Sequence, residues 1–199
     1  MHVEAKNDWN FGNYLQGFDE LNTLTTYVWT STFSKTKEER KKEMTDTILS
    51  FLILAYKEGN KAINNQLWDC ELDDDLMYAA VYKLIDGKTF EDRVAEHIEN
   101  NNLGSLLNLV ESEYHRDFNS AMYDGADSFE SRKFREVEKE WVTMNDERVR
   151  DTHRYLEGKQ VGLHERFYTY DGDSAEYPGD FSKAENNVNC RCLVLFRTS

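Results

Sequence analysis

The sequence predicts an α+β protein: a helical stretch over residues 1–140, followed by a small α+β unit with a few short strands over residues 141–199. Three observations predict it. A single proline among 199 residues favours helices, because proline removes a donor and clashes within a helix. Apolar residues recur at steps of three and four through the first 140 positions. After Glu140 the texture changes to β-prone runs separated by glycines and Asp-Gly turns.

Composition bounds the class. Charged residues make up 31% of the chain and aromatics 13%, so a packed core beneath a wet surface is expected rather than a disordered chain. The net charge of −14 falls almost wholly on residues 1–140, leaving residues 141–199 nearly neutral. An acidic body repels phosphate and rules out the basic stripe of a duplex-binding protein, so any DNA contact would be weak and confined to the C-terminal part. The stretch MHVEAKNDWNFGNYL lacks a basic region followed by an apolar one, which predicts no secretory signal. The longest apolar run, Leu49–Tyr56, is too short for a bilayer, and no membrane partner is expected. Three cysteines make a poor disulfide framework, and bridging Cys190 to Cys192 would be strained, so a reducing cytoplasm is the expected place of synthesis.

Taken in order, Met44, Ile48, Phe51, Leu52 and Ala55 mark one face of a helix over Met44–Tyr56, with Gly59 as its expected stop. The charged KTKEERKKE run just before it reads as solvated first turns. Asp73–Ile85 is a shorter helix closed by the turn Asp86–Lys88. Thr89 caps the next helix, with Asp92 completing a capping box and Phe90, Val94 and Ile98 forming the apolar face. Asn100–Asn102 breaks the pattern, since asparagine competes for backbone hydrogen bonds. Periodicity resumes at Leu103, Leu106, Leu107, Val110, Tyr114 and Phe118 in a long amphipathic helix that needs a partner surface.

Beyond Glu140, Trp141–Met144 is β-prone, and Asn145 or Asp146 is placed to cap a short helix ending at Gly158. Phe167–Tyr170 is strand-like within a long loop, and Asp171–Glu176 reads as a turn because it lacks the glycine placement of a calcium loop. Cys190–Phe196 reads as the final strand.

Chemistry concentrates in WVTMNDERVRDTHRYLEG (141–158), YPGD (177–180) and NNVNCRC (186–192). His153 shares a helical face with Val149 and Leu156, where a histidine is expected to tie the short helix to the final strand by a buried hydrogen bond. Asp146 either caps that helix or pairs with Arg150 four residues on. His153 and Cys190 would make a nucleophile–base pair, with Asn189 to polarise a carbonyl, but thiols at the head of an apolar strand are expected to be buried and inert. No catalytic residues and no cofactor are expected.

In their order and spacing, Trp141, Thr143, Asp146, Arg150, His153, Gly158, Pro178, Asn189, Cys190, Arg191 and Cys192 resemble the Mu-F-like minor head, or head morphogenesis, proteins of tailed bacteriophages. Upstream, Glu113, Arg116 and Asn119 at three-residue spacing are similar to the helix that precedes that signature. Some members place Cys-x-x-Cys where Arg150 and His153 stand, and a histidine near Asn187, completing a four-ligand zinc set with the residue at Cys190. This chain keeps only His153 and Cys190 of those four, with Cys192 as a spare, so hydrogen bonds and packing are expected to replace the metal; His153, Cys190 and Cys192 are the set a zinc ion would use. The resemblance implies a virion protein made in the host cytoplasm, with portal and head proteins as partners, acting in head assembly or DNA delivery. The rival reading is a phage-borne effector enzyme, a nuclease or ADP-ribosyltransferase-like toxin, depending on Glu113 or His153.

Overall fold

The computed structural model describes residues 11–198; the first ten residues, which belong to the stretch read for a signal, lie outside the described residues. Five helices come first: α1 (Phe11–Ser31), α2 (Lys37–Leu67), α3 (Asp74–Val81), α4 (Phe90–Glu99) and α5 (Leu103–Lys133). The rest is β1 (Val137–Val142), α6 (Asp151–Arg154), β2 (Gln160–Gly162), β3 (Phe167–Tyr168), β4 (Ser174–Ala175), α7 (Ala184–Asn187) and β5 (Leu193–Thr198). This is the α+β order that the sequence predicts.

Two 31-residue helices, α2 and α5, form the central pair, each about 46 Å long at 1.5 Å per residue. Thr36 and Glu39 cap α2 reciprocally, so the helix starts inside the charged run rather than after it. One member of that run, Arg40, is buried, with its guanidinium 4.6 Å from the Trp29 ring centre. Gly59 does not stop α2. It lies in mid-helix, where the missing side chain admits the Phe118 carbonyl of α5. Close helix crossing, not termination, requires that glycine.

The shorter helices follow the sequence signals. Asp73 caps α3, Thr89 and Asp92 form the capping box of α4, and Asn102 caps α5. The Asp86–Gly87 turn has positive φ at both residues, as a two-residue reversal between Ile85 and Lys88 demands. In α5 every residue from Glu113 to Met122 is buried, so this segment is packed on all sides.

The main sheet has the order β2-β1-β5, antiparallel throughout, with Trp141 opposite Val194. β1 begins at Val137, four residues ahead of Trp141, because Val137, Lys139 and Trp141 point inward in alternation despite the charges between them. β5 begins at Leu193, so Cys190 and Cys192 precede the strand instead of opening it. β3 and β4 form a small hairpin around the Asp171–Asp173 turn. Leu52 and Ile63 of α2, Phe118 of α5, Trp141 of β1 and Phe196 of β5 belong to one apolar core. Gln66 Oε1 accepts the Phe196 N–H at 2.8 Å, fastening the last strand to α2. Among the described residues no helix is long and apolar enough to cross a membrane.

Candidate functional site

The buried centre of α5 carries polar groups on two faces. On one, Glu113 accepts two hydrogen bonds from Arg93 of α4, at 2.6 and 3.0 Å. Its Oε2 also lies 2.6 Å from Arg116 Nη1. Arg116 donates to Asp117 at 2.9 and 3.2 Å and to the Ala80 carbonyl of α3 at 3.0 Å. Burial works against the Arg116 charge, but Asp117 and Glu113 outweigh it and hold the guanidinium protonated. This network joins α3, α4 and α5. On the other face Asn119 Nδ2 donates to the His115 carbonyl at 2.8 Å, and His115 Nδ1 meets the Tyr14 hydroxyl of α1.

Arg116 also seats the C-terminal loop. Gly179 has φ +98°, and a Cβ there would stand 3.0 Å from the Arg116 Cα, so the Pro178–Gly179 backbone lies directly on α5. Tyr177 beside it hydrogen-bonds Ser120 at 3.3 Å. The α5 segment from Arg116 to Ser120 and the downstream loop with Pro178 are thus two sides of one contact, made by Arg116 and Ser120.

The C-terminal unit is organised around Trp141, which is fully buried. Its ring meets those of His153, Phe167 and Phe181 at 5.5, 5.2 and 5.6 Å between centres. Val149, His153 and Leu156 are all buried. His153 Nδ1 lies 3.5 Å from Cys190 Sγ and 3.3 Å from Cys192 Sγ. Burial opposes ionisation of Cys190, but hydrogen bonds from Cys192, His115 and His153 outweigh it and depress its pKa well below that of a free thiol. The same bond to Cys190, with burial, pushes the Cys192 thiol up. His153, Cys190 and Cys192 are the one group of three metal-ligating side chains whose donor atoms lie within 4.8 Å of one another among the described residues. Two sulfurs and an imidazole suit zinc in donor type.

Asp146 takes neither expected role. It accepts from Arg191 Nη2 through both oxygens at 2.8 Å and from the Arg148 N–H, so its partner lies 45 positions away across the fold. Arg150 occupies the N-cap of α6 without a side-chain cap bond, and its guanidinium donates to the Val188 carbonyl at 2.5 Å. The expected Asp146 cap and Asp146–Arg150 pair are both replaced by links to the segment around Cys190. The helix itself is one turn, and Gly158, with φ +71°, follows it and donates to the Trp141 carbonyl. Thr143 lies buried, its N–H on Glu157 and its hydroxyl receiving the Asn145 N–H. Asn189 is exposed and left-handed, with φ 56°, and turns the chain into Cys190.

Three organising residues escaped the sequence reading. Asp173 accepts from Ser174 N, Ser182 N and Oγ, Lys183 N and Asn186 Nδ2, which bind the hairpin to α7. Burial alone would raise its pKa, yet these bonds lower it to about 2. Asn187 clasps both backbone groups of Phe181, at 3.0 and 2.7 Å. His115 stands one residue before Arg116, and its partner, the Tyr14 hydroxyl of α1, lies 101 positions away. A cleft of about 720 Å³ opens over Cys190, between Phe18, Asp19 and Glu111 on one side and Arg148, Arg150 and Arg191 on the other.

Comparison with known proteins gives these contacts a family context. A segment of the chain is 33% identical over 60 residues to the Minor head protein GP7 of Bacillus phage SPP1, covering 30% of this chain and 20% of that protein. A segment is 41% identical over 59 residues to the NAD(+)--arginine ADP-ribosyltransferase EFV of Enterococcus faecalis, covering 30% of this chain and 12% of that protein. The matched segments therefore span a fifth and about an eighth of these two relatives. No solved structure matches. The Phage Mu protein F like family matches residues 75–195, the span that holds the α5 network, the Trp141 cluster and the closing cysteines, and the chain belongs to that family.

Proposed function

We propose that this protein is a minor head component of a tailed phage or prophage, made in the host cytoplasm and incorporated near the portal during head assembly or DNA delivery. The observation that carries the reading is the family match over residues 75–195, supported by the segment shared with the minor head protein of phage SPP1. The geometry is consistent with a structural role. Glu113 and Arg116 are consumed in a buried ion network, and the family-type residues Asp146 and Arg191 pair with each other within the C-terminal unit. The helices supply apolar surface for neighbouring head proteins, and the compact C-terminal unit serves as the recognition module. With a net charge of −14, any DNA contact is weak and salt-sensitive. Affinity capture of the tagged chain with portal protein and proheads tests this; failure to recover either would contradict it.

The Enterococcus relative motivates a second reading, an effector enzyme carried by the phage. The paired, buried state of Glu113 weighs against its use as a catalytic carboxylate. Host toxicity on expression, lost on Glu113→Ala or His153→Ala in protein that still folds, would favour this reading over the first.

A further inference from the structure

Buried polar atoms without a partner are uncommon in folded proteins, and two residues that carry one line the same cleft. The cleft, of about 720 Å³, separates α1 and α5 from the segments around Arg148 and Arg191, and its size suits a small molecule. On the helical side, Asn22 Nδ2 donates to Glu111 Oε1 at 2.5 Å, which fixes the amide orientation and leaves Oδ1 buried with no donor among the described residues. On the other side, Arg150 Nη2 donates to the Val188 carbonyl, while Nη1 is shut away from solvent without an acceptor. Each such atom loses water and gains no bond in return. One wall lacks a donor and the other an acceptor, so a single ligand carrying both satisfies them together.

The charges divide in the same way. Among the described residues the Arg148 guanidinium makes no hydrogen bond or ion pair, and Arg191 meets Asp146 through Nη2 alone. Three guanidiniums on this wall therefore answer to one carboxylate. Across the cleft, neither Asp19 nor Glu111 has a cationic partner among the described residues. Guanidiniums grip a phosphate or carboxylate through paired N–H bonds. The opposite wall accepts from hydroxyl, amine or ammonium groups. Its two carboxylates repel a continuous phosphodiester backbone, so the site suits a small dipolar molecule rather than nucleic acid.

We propose that the cleft binds a small molecule that presents a phosphate or carboxylate to Arg148, Arg150 and Arg191 and hydrogen-bond donors to Asp19, Asn22 and Glu111. Bound there, it bridges α1 and α5 to the C-terminal unit. The site stands apart from the head-protein reading, since it needs no partner protein.

Calorimetric titration of the full chain at constant ionic strength tests this with two probes of the same chemistry. AMP joins a phosphate to hydroxyls and an amine; glutamine joins a carboxylate to an ammonium and an amide. Inorganic phosphate and acetate supply the oxyanion alone. At least one probe should bind, one per chain, and which one does so identifies the oxyanion. It should bind at least about tenfold more tightly than its bare oxyanion, because the opposite wall adds charged hydrogen bonds. Arg148→Gln should weaken both the probe and the bare oxyanion. Asp19→Asn should weaken the probe about tenfold without weakening the bare oxyanion. Lys37→Gln, which removes a charge outside the cleft, should change neither. Arg148 and Asp19 are exposed, so these variants should melt as the wild type does. Folded wild-type protein that binds neither probe at millimolar concentration would overturn the proposal. So would a probe no tighter than its bare oxyanion, or one indifferent to both Arg148→Gln and Asp19→Asn.

Discussion

Gly59 of α2 faces the backbone carbonyl of Phe118 in α5 so closely that a methyl group built on it would stand 2.2 Å from the oxygen. The two longest helices therefore touch backbone to backbone, at mid-length of α5 and about three-quarters of the way along α2, and further along Gly125 makes room for the Ile63 side chain. Gly59→Ala should force the helices apart and cost on the order of 3 kcal/mol. Gly172→Ala makes a sharp comparison, since nothing lies near that position and only its φ of +84° resists a side chain; it should cost about 1 kcal/mol. Denaturant unfolding of the two variants side by side checks the difference.

Removing the charge of Glu113 isolates the ion network. Glu113→Gln keeps the shape but leaves Arg93 without its carboxylate and Arg116 with Asp117 alone. A loss of about 3 kcal/mol is expected, because a buried charge stripped of its partner keeps its desolvation cost. Equilibrium unfolding reads the loss, and Arg93→Met combined with Glu113→Gln should recover part of it.

Asp173 sets the acid limit of the C-terminal unit. Its carboxyl titrates near pH 2 when folded and near pH 4 when unfolded, so the unfolded chain binds the proton first as pH falls. Its contribution is complete above about pH 4 and disappears toward pH 2, roughly 2 kcal/mol in all. Asp173→Asn should flatten this part of the stability–pH curve. A variant that loses stability across that window as steeply as the wild type would contradict the assignment.

Lys139 acts at the other end of the scale. Burial lowers its pKa to about 8, although its ammonium donates to the Glu176 carbonyl and lies 5.0 Å from the Tyr123 ring centre. Between pH 8 and about 10.4 the unfolded chain holds a proton that the folded chain has released, so this group makes stability rise with pH. Lys139→Met should remove that rise and leave the protein at least as stable at pH 7, as thermal melts across the range would show.

The helices were legible because their signals are local. Phe90, Val94 and Ile98 repeat at helical spacing, and Thr89 with Asp92 states where the helix starts. Gly59 was misread as a stop because its reason for being glycine sits on another helix. The start of β1 was hidden by Lys139 and Glu140, charged residues that the fold buries. Likewise, sequence order brought His153 and the two cysteines under suspicion, but not Asp146 with Arg191 or His115 with Cys190, whose partners are far along the chain. Asn186 bonds Asp173 and Asn187 clasps Phe181, contacts that no local pattern announces.

Membership of a phage head is read by quantitative mass spectrometry of purified particles and proheads from a phage or induced lysogen that expresses this chain. A few copies per particle are expected, rising and falling with portal protein across gradient fractions. Expression in the cell without recovery in either particles or proheads would contradict it.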